Sequence, residues 1–210
     1  MDDLKPIIET LIKGDEAQLT QLVKSAMAQG VPAKKILSEG LIAGMDIVGE
    51  KMENEDMFIP EVLMSAKAMS ACVKILKPQL TEEDTAAQGK VIIGTVKGDL
   101  HDIGKNLVAM MLASGGLEVF DLGVDVDPDK FAAEVKEKNA GMLCLSALLT
   151  TTMPMMRQTI KALTENGIRD QVKILIGGAP VTQGFADEIG ADGYAPDAGS
   201  AVKLAKRLNR

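Results

Sequence analysis

Across 210 residues there is a single histidine, His101, and there are only two cysteines, Cys72 and Cys144. A structural zinc or a bare iron centre draws several nitrogen or sulfur ligands from its protein, so this supply excludes that class of site. No Cys-x-x-Cys pair is present, which removes dithiol redox chemistry, and both cysteines fall in apolar surroundings that predict reduced, packed side chains. Positive charge is in deficit, with 23 Lys and Arg against 30 Asp and Glu and a net charge of -7. That balance excludes a basic surface for nucleic-acid phosphates. No apolar run reaches the ~18 residues a membrane-spanning helix needs, and the first residues, Met1-Asp2-Asp3-Leu4-Lys5, are acidic where a secretory leader is basic. The expectation is a cytoplasmic protein with no membrane and no nucleic-acid partner. Aromatics are scarce as well, at 2%, beside 13 methionines, which fill irregular space and adapt to more than one neighbour.

What the chain does have is 46% hydrophobic content, ample for buried cores, arranged in two different periods. From residue 1 to about 88 the apolar positions recur at three and four. Examples are Leu4, Ile7, Ile8, Leu11 and Ile12; Leu19, Leu22, Val23, Ala26 and Met27; and Ile36, Leu37, Leu41, Ile42, Met45 and Val48. Gly30-Val31-Pro32 and Phe58-Ile59-Pro60 punctuate these segments and Pro78 follows the last, predicting a bundle of four or five helices. The polar, aperiodic stretch 81–89 predicts a linker.

From Lys90 onward short apolar runs alternate with amphipathic ones. Strands are predicted at Val91 to Val96, Leu117 to Leu122, Gly141 to Leu145, Val172 to Ile176 and Gly193 to Ala195. Helices fall between and after them at Gly104 to Ser114, Asp129 to Asn139, Met153 to Asn166, Phe185 to Ile189 and Ala198 to Leu208. Such alternation predicts a five-stranded parallel sheet with helices on both faces and its ligand loops along the rim of strand carboxyl ends.

The first rim loop reads Gly98-Asp99-Leu100-His101-Asp102-Ile103-Gly104. It is not a phosphate loop, because five residues separate its glycines where four are required and Asn106 stands where Ser or Thr would hold magnesium. Its content is the chain's only imidazole. Asp99, two residues before it, can accept the second ring N–H and fix the tautomer, and Gly104 lets the chain turn into the next helix.

With these residues the chain resembles the corrinoid-binding proteins of cobalamin-dependent methyl transfer, both the separate subunits of three-component methyltransferase systems and the corresponding module of methionine synthase. The resemblance rests on Asp99-x-His101-x-x-Gly104 and its companions and covers nearly the whole chain: a helical cap over 1–88, then a Rossmann-like, flavodoxin-like domain over 89–210. It implies that His101 replaces the cofactor's own benzimidazole as the axial ligand of cobalt. Gly98, Asp99, Leu100, Asp102, Ile103 and Gly104 would line the surrounding loop. It also implies a proton relay from His101 through Asp99 to a hydroxyl, at Thr152, where methionine synthase carries serine. Ser146, Leu148 and Thr150 after the third strand, Gly177 and Gly178 after the fourth, and Ala198 after the fifth match cofactor-contact positions. In the cap, Met52 and Ile59, with Val62 close by, align with side chains that cover the corrin, Met52 replacing an aromatic residue.

The implied activity is that of a methyl carrier, without autonomous catalysis. Cob(I)alamin takes a methyl group from a substrate-specific methyltransferase, and methylcob(III)alamin yields it to a second methyltransferase whose acceptor is tetrahydrofolate or a thiol coenzyme. A reductive activase is the third expected partner. A radical-mutase cobalamin subunit would match only residues 90 to 210. A cobalamin-sensing regulator would add a basic DNA-binding module, and a receiver-like signalling domain an acidic cluster at the end of the first strand.

Overall fold

The structure is a computed structural model that describes residues 4–80 and 89–209. The described chain divides into two compact units, one helical and one α/β. Residues 81–88 of the expected linker lie outside the described residues. Gly89, its last member, already serves the sheet, its carbonyl accepting the N–H of Glu118 at 2.9 Å.

In the helical unit, α1 (Lys5–Ile12) carries Pro6 in its first turn, where a missing N–H costs nothing, and buries Ile7 and Leu11. α2 (Glu16–Ala28) is capped by Asp15, which accepts the N–H of Gln18 at 2.9 Å. From 33 to 53 the backbone is helical without a break, through α3 (Ala33–Lys35), a π-helical stretch Ile36–Ile42 and α4 (Ala43–Glu53). The buried Ile36 and Leu41 stand five apart, the spacing of a π turn's i to i+5 hydrogen bond. A Cβ on Gly44 would come within 2.6 Å of Leu11, so glycine is what lets α1 lie against α4. At the head of α5 (Ile59–Leu76) the Glu61 carboxylate accepts the N–H of Phe58 at 2.8 Å, and Pro78 sits in the 3-10 turn Lys77–Gln79 that follows this helix. The expected four or five helices are thus four continuous runs among the described residues.

The α/β unit follows the predicted alternation: β1 (Lys90–Thr95), α6 (Ile103–Ser114), β2 (Glu118–Asp121), α7 (Pro128–Lys138), β3 (Met142–Ser146), α8 (Pro154–Glu165), β4 (Lys173–Gly177), α9 (Gln183–Ile189), β5 (Gly193–Tyr194) and α10 (Ala198–Leu208). All pairings are parallel and the strand order is β2-β1-β3-β4-β5, the flavodoxin-like order that places its topological switch between β1 and β3. β1 is an interior strand, paired on both sides and buried from Val91 to Thr95, which explains its unbroken apolar run. On one face Ile92, Leu143, Leu145, Ile174 and Ile176 pack with Phe131 of α7 and Met156, Ile160 and Leu163 of α8. Gly94 makes room for the Phe131 ring, which a Cβ there would meet at 2.7 Å. The alternate residues Ile93, Cys144 and Leu175, paired in register, point to the other face.

The two cysteines are buried in separate units, Cys72 in α5 and Cys144 in β3. Burial pushes the Cys144 thiol up to about 12, and burial with the nearby Glu16 carboxylate pushes Cys72 up to about 11. Among the described residues no helix is long and apolar enough to cross a membrane.

Candidate functional site

Parallel pairing brings the carboxyl ends of β1, β3 and β4 into line, with Thr95 opposite Ser146 and Ser146 opposite Gly177. The loop after β1 leaves this line through a turn closed by the N–H of Asp99 on the carbonyl of Val96, with Gly98 at φ 82°. Only glycine adopts that conformation freely. The turn drives the side chain of Asp99 inward, where it is fully buried.

A buried carboxylate persists only if its lone pairs are met, and those of Asp99 are. Oδ1 accepts the backbone N–H of His101 at 3.1 Å and its ring Nδ1–H at 2.7 Å. Oδ2 accepts the N–H groups of Leu148 and Leu149 at 2.8 and 3.2 Å and the hydroxyl of Thr152 at 2.8 Å. Burial alone would raise the pKa of Asp99. The hydrogen bonds from His101, Leu148 and Thr152 outweigh it and hold the carboxyl well below the usual carboxylate range. Asp99 is therefore an acceptor only, and the proton between it and His101 resides on Nδ1.

That assignment leaves Nε2 of His101 with its lone pair available. The side chain is 51% exposed, and its loop is fixed from behind by the buried Thr95, whose hydroxyl donates to the His101 carbonyl at 2.8 Å. Eight large apolar side chains are exposed among the described residues. Four of these cluster here: Leu100 at 71%, Leu148 and Leu149 in the two loops that meet at Asp99, and Ile103 at 81% at the head of α6. An imidazole donor inside an exposed apolar collar does not suit a hydrated ion. It suits a large, flat, apolar group that brings its own metal and needs one further ligand. No group of three or more His, Cys, Asp or Glu among the described residues could hold a bare ion.

The other predicted residues are distributed as follows. Ser146 is half-buried at the end of β3, and Thr150 is exposed in the loop beyond it. Asp102 opens α6, its carbonyl accepting the N–H of Asn106 at 2.7 Å and its carboxylate the Asn106 side-chain amide at 3.0 Å. Gly104 lies within α6 without a positive φ, and a Cβ there would meet nothing within 4 Å. The chain's own turn therefore does not require this glycine, contrary to the reading from sequence; it leaves open space beside the collar. Gly178 is required by the chain itself, because at φ 125° a Cβ would fall 1.9 Å from the carbonyl of Ala147, and one on Gly177 would lie 3.0 Å from that of Ala195. Ala198 is buried in the first turn of α10, behind its cap Asp197. In the helical unit Met52 is half-buried in the last turn of α4, Ile59 is exposed at the start of α5 beside Phe58, Leu63 and Met64, and Val62 is wholly buried.

Around Asp99 and the head of α6, two side chains gave no usable signal in the sequence. Thr95 gave no signal, being one more β-branched residue in an apolar strand. Lys105, in the first turn of α6, points inward: it is buried and donates to Asp121 at the end of β2 and to Asn106.

Comparison with known proteins identifies the family. Residues 89–203 match the B12 binding domain family, and residues 4–77 match a second family of the same description. The chain is 43% identical to dimethylamine corrinoid protein 3 of Methanosarcina acetivorans, over 98% of this chain and 96% of that one. A cobalamin-binding protein from Desulfitobacterium hafniense superposes with a TM-score of 0.86 at 34% identity, covering 99% of both chains. A chain of the methanol:cobalamin methyltransferase complex of Methanosarcina barkeri does so with a TM-score of 0.83 at 31% identity, over 98% of this chain and 79% of that one. A lone imidazole asks for a metal that arrives already caged, and the chain that offers it here belongs to the B12-binding corrinoid proteins of methyltransferase systems.

Proposed function

We propose that this chain is a methyl carrier, with His101 as the lower axial ligand of cobalamin cobalt. In this reading a substrate-specific methyltransferase, as in the methanol system, delivers the methyl group and a second, acting on tetrahydrofolate or a thiol coenzyme, removes it. A reductive activase restores the reduced carrier, and the setting is cytoplasmic. Bound cobalamin supplies the one chemical ability the chain lacks, a metal that accepts and yields a methyl group.

The chain's residues do the rest. Asp99, ionised and buried, draws on the Nδ1 proton of His101 and so strengthens the Nε2 donor. Thr152 keeps a hydroxyl on the far oxygen of Asp99, completing the proposed relay. Leu100, Ile103 and Leu148 offer apolar surface to the corrin, and Gly98, Asp102 and Gly104 leave room for its rim. Ser146, Thr150, Gly177, Gly178 and Ala198 are assigned to the cofactor and its nucleotide tail, in line with the register of β3 and β4. Met52 and Ile59 are assigned to the methyl-bearing side, and the exposure of Ile59 supports this; Val62, being buried, acts only from behind them.

The observation that carries the reading is the 2.7 Å bond from Nδ1 of the only imidazole to a buried carboxylate, which frees Nε2. Electron paramagnetic resonance of the cobalt(II) protein tests it. Splitting from one axial nitrogen should survive isotopic labelling of the benzimidazole and vanish in His101→Ala. Splitting that follows the benzimidazole label overturns it.

A further inference from the structure

The loop that carries His101 is also fastened from the side of β2, by a residue outside the Asp99 cluster. Asp125, in the connection from β2 to α7, has φ 54°. Aspartate tolerates this left-handed conformation better than most residues, yet it persists only where surrounding bonds hold it. Two such bonds are present. Oδ1 of Asp125 accepts the N–H of Gly98 at 2.7 Å, and its backbone N–H donates to the carbonyl of Asp99 at 3.0 Å.

These bonds bracket the Gly98-Asp99 dipeptide, one at its first nitrogen and one at its last oxygen. A dipeptide held at both ends has little freedom left at Asp99. The direction in which the Asp99 side chain leaves the backbone is therefore set from both sides, and that side chain aims the His101 ring. Asp125 is itself delivered by backbone registration. The Leu122 N–H donates to Ile93, that of Thr95 to Gly123 and that of Val126 to Thr95, at 2.8, 2.9 and 3.0 Å, so pairing with β1 continues past the end of β2.

We propose that Asp125 is a positioning residue for the Asp99–His101 pair, acting through the backbone of Gly98 and Asp99 to fix the ring in its Nδ1–H tautomer with Nε2 outward. The proposal deepens, and for its purpose rests on, the reading of His101 as the cobalt ligand.

Its test does not need cobalt. His101 is the only imidazole, so long-range proton–nitrogen correlation on the ¹⁵N-labelled full chain without cobalamin yields one set of ring signals, read at a fixed, mildly alkaline pH. The wild type should show the Nδ1–H form. Asp125→Gly keeps the positive φ without strain but removes the acceptor, and should shift the tautomer ratio toward Nε2–H by roughly three- to ten-fold, the effect of one lost hydrogen bond. Asp125→Asn retains an acceptor oxygen and should restore the wild-type ratio. Asp125 is exposed, so neither change opens the core, and melting curves would confirm folding. An unchanged ratio in folded Asp125→Gly overturns the proposal, as does an Asp125→Asn ratio equal to that of Asp125→Gly. A wrong axial-ligand assignment would show instead in the cobalt(II) spectrum, with these ratios unaffected.

Discussion

Thr152 places one hydroxyl proton between two acceptors, Oδ2 of Asp99 at 2.8 Å and the carbonyl of Leu149 at 2.9 Å. It can serve one strongly at a time. While Asp99 is ionised the proton belongs with the carboxylate; if Asp99 takes up a proton, the hydroxyl can donate to the Leu149 carbonyl and accept from the protonated carboxyl. Threonine does this as well as serine, and its extra methyl group packs beside Gly98, 3.6 Å from where a Cβ there would stand.

Thr152→Val keeps the shape and removes the donor. The buried Oδ2 of Asp99 loses one of its three partners, and the fold should lose about 1–3 kcal/mol, read from urea unfolding midpoints. Thr152→Ser keeps the hydroxyl and should lose less than about 1 kcal/mol. Equal losses would assign the effect to the methyl group.

Acid should undo the Asp99 cluster in a defined direction. The folded carboxyl titrates below the ordinary value of 3.8, so on acidification the unfolded chain binds the proton first. The stability that Asp99 contributes is present above that value and drains away as pH falls through it toward the lower folded one. Asp99→Asn should be less stable at neutral pH and lose less further stability between about pH 5 and pH 3. Parallel curves for the two proteins in a pH series of unfolding midpoints would contradict this.

The order of elements was legible in the sequence because strand and helix impose different apolar periods, and every strand of the α/β unit lies within a residue or two of its predicted run. His101 and Asp99 were legible because two residues of spacing suffice for a local hydrogen bond. Thr152 came only by resemblance, since 53 positions separate it from Asp99 and nothing local joins them. Thr95, Lys105 and Asp125 were not legible: their roles depend on which loops the sheet brings together, a fact of strand order and not of neighbouring residues. The π-helical stretch was written in the Ile36 to Leu41 spacing, but a single interval of five is easily absorbed into a reading by threes and fours.

The glycines divide into two kinds by experiment. Gly178→Ala forces a Cβ onto the Ala147 carbonyl at a φ that L residues avoid, and should cost more than about 2 kcal/mol in thermal or urea unfolding. Gly104→Ala meets open space in a helix and should leave stability unchanged or raise it by about 0.5–1 kcal/mol. If cobalamin affinity nevertheless falls in Gly104→Ala, the open space belongs to the cofactor.

Lys105→Met should destabilise the α/β unit by about 1–3 kcal/mol, because it leaves Asp121 with its Gly123 N–H but without its cation, and Asp121 is only partly solvated. The double variant Lys105→Met, Asp121→Asn should recover part of that loss. No recovery in chemical unfolding would show that the lysine stem, and not the ion pair, is what matters.

The two buried thiols have a practical consequence. With Cys72 and Cys144 enclosed and their acidities suppressed, neither presents a thiolate to an alkylating reagent in the native protein. A cysteine introduced on the surface of either unit would then be the one thiol that reacts. Pairs of such cysteines could carry dyes without prior removal of the native ones, turning the separation between the two units into a quantity that can be followed in solution.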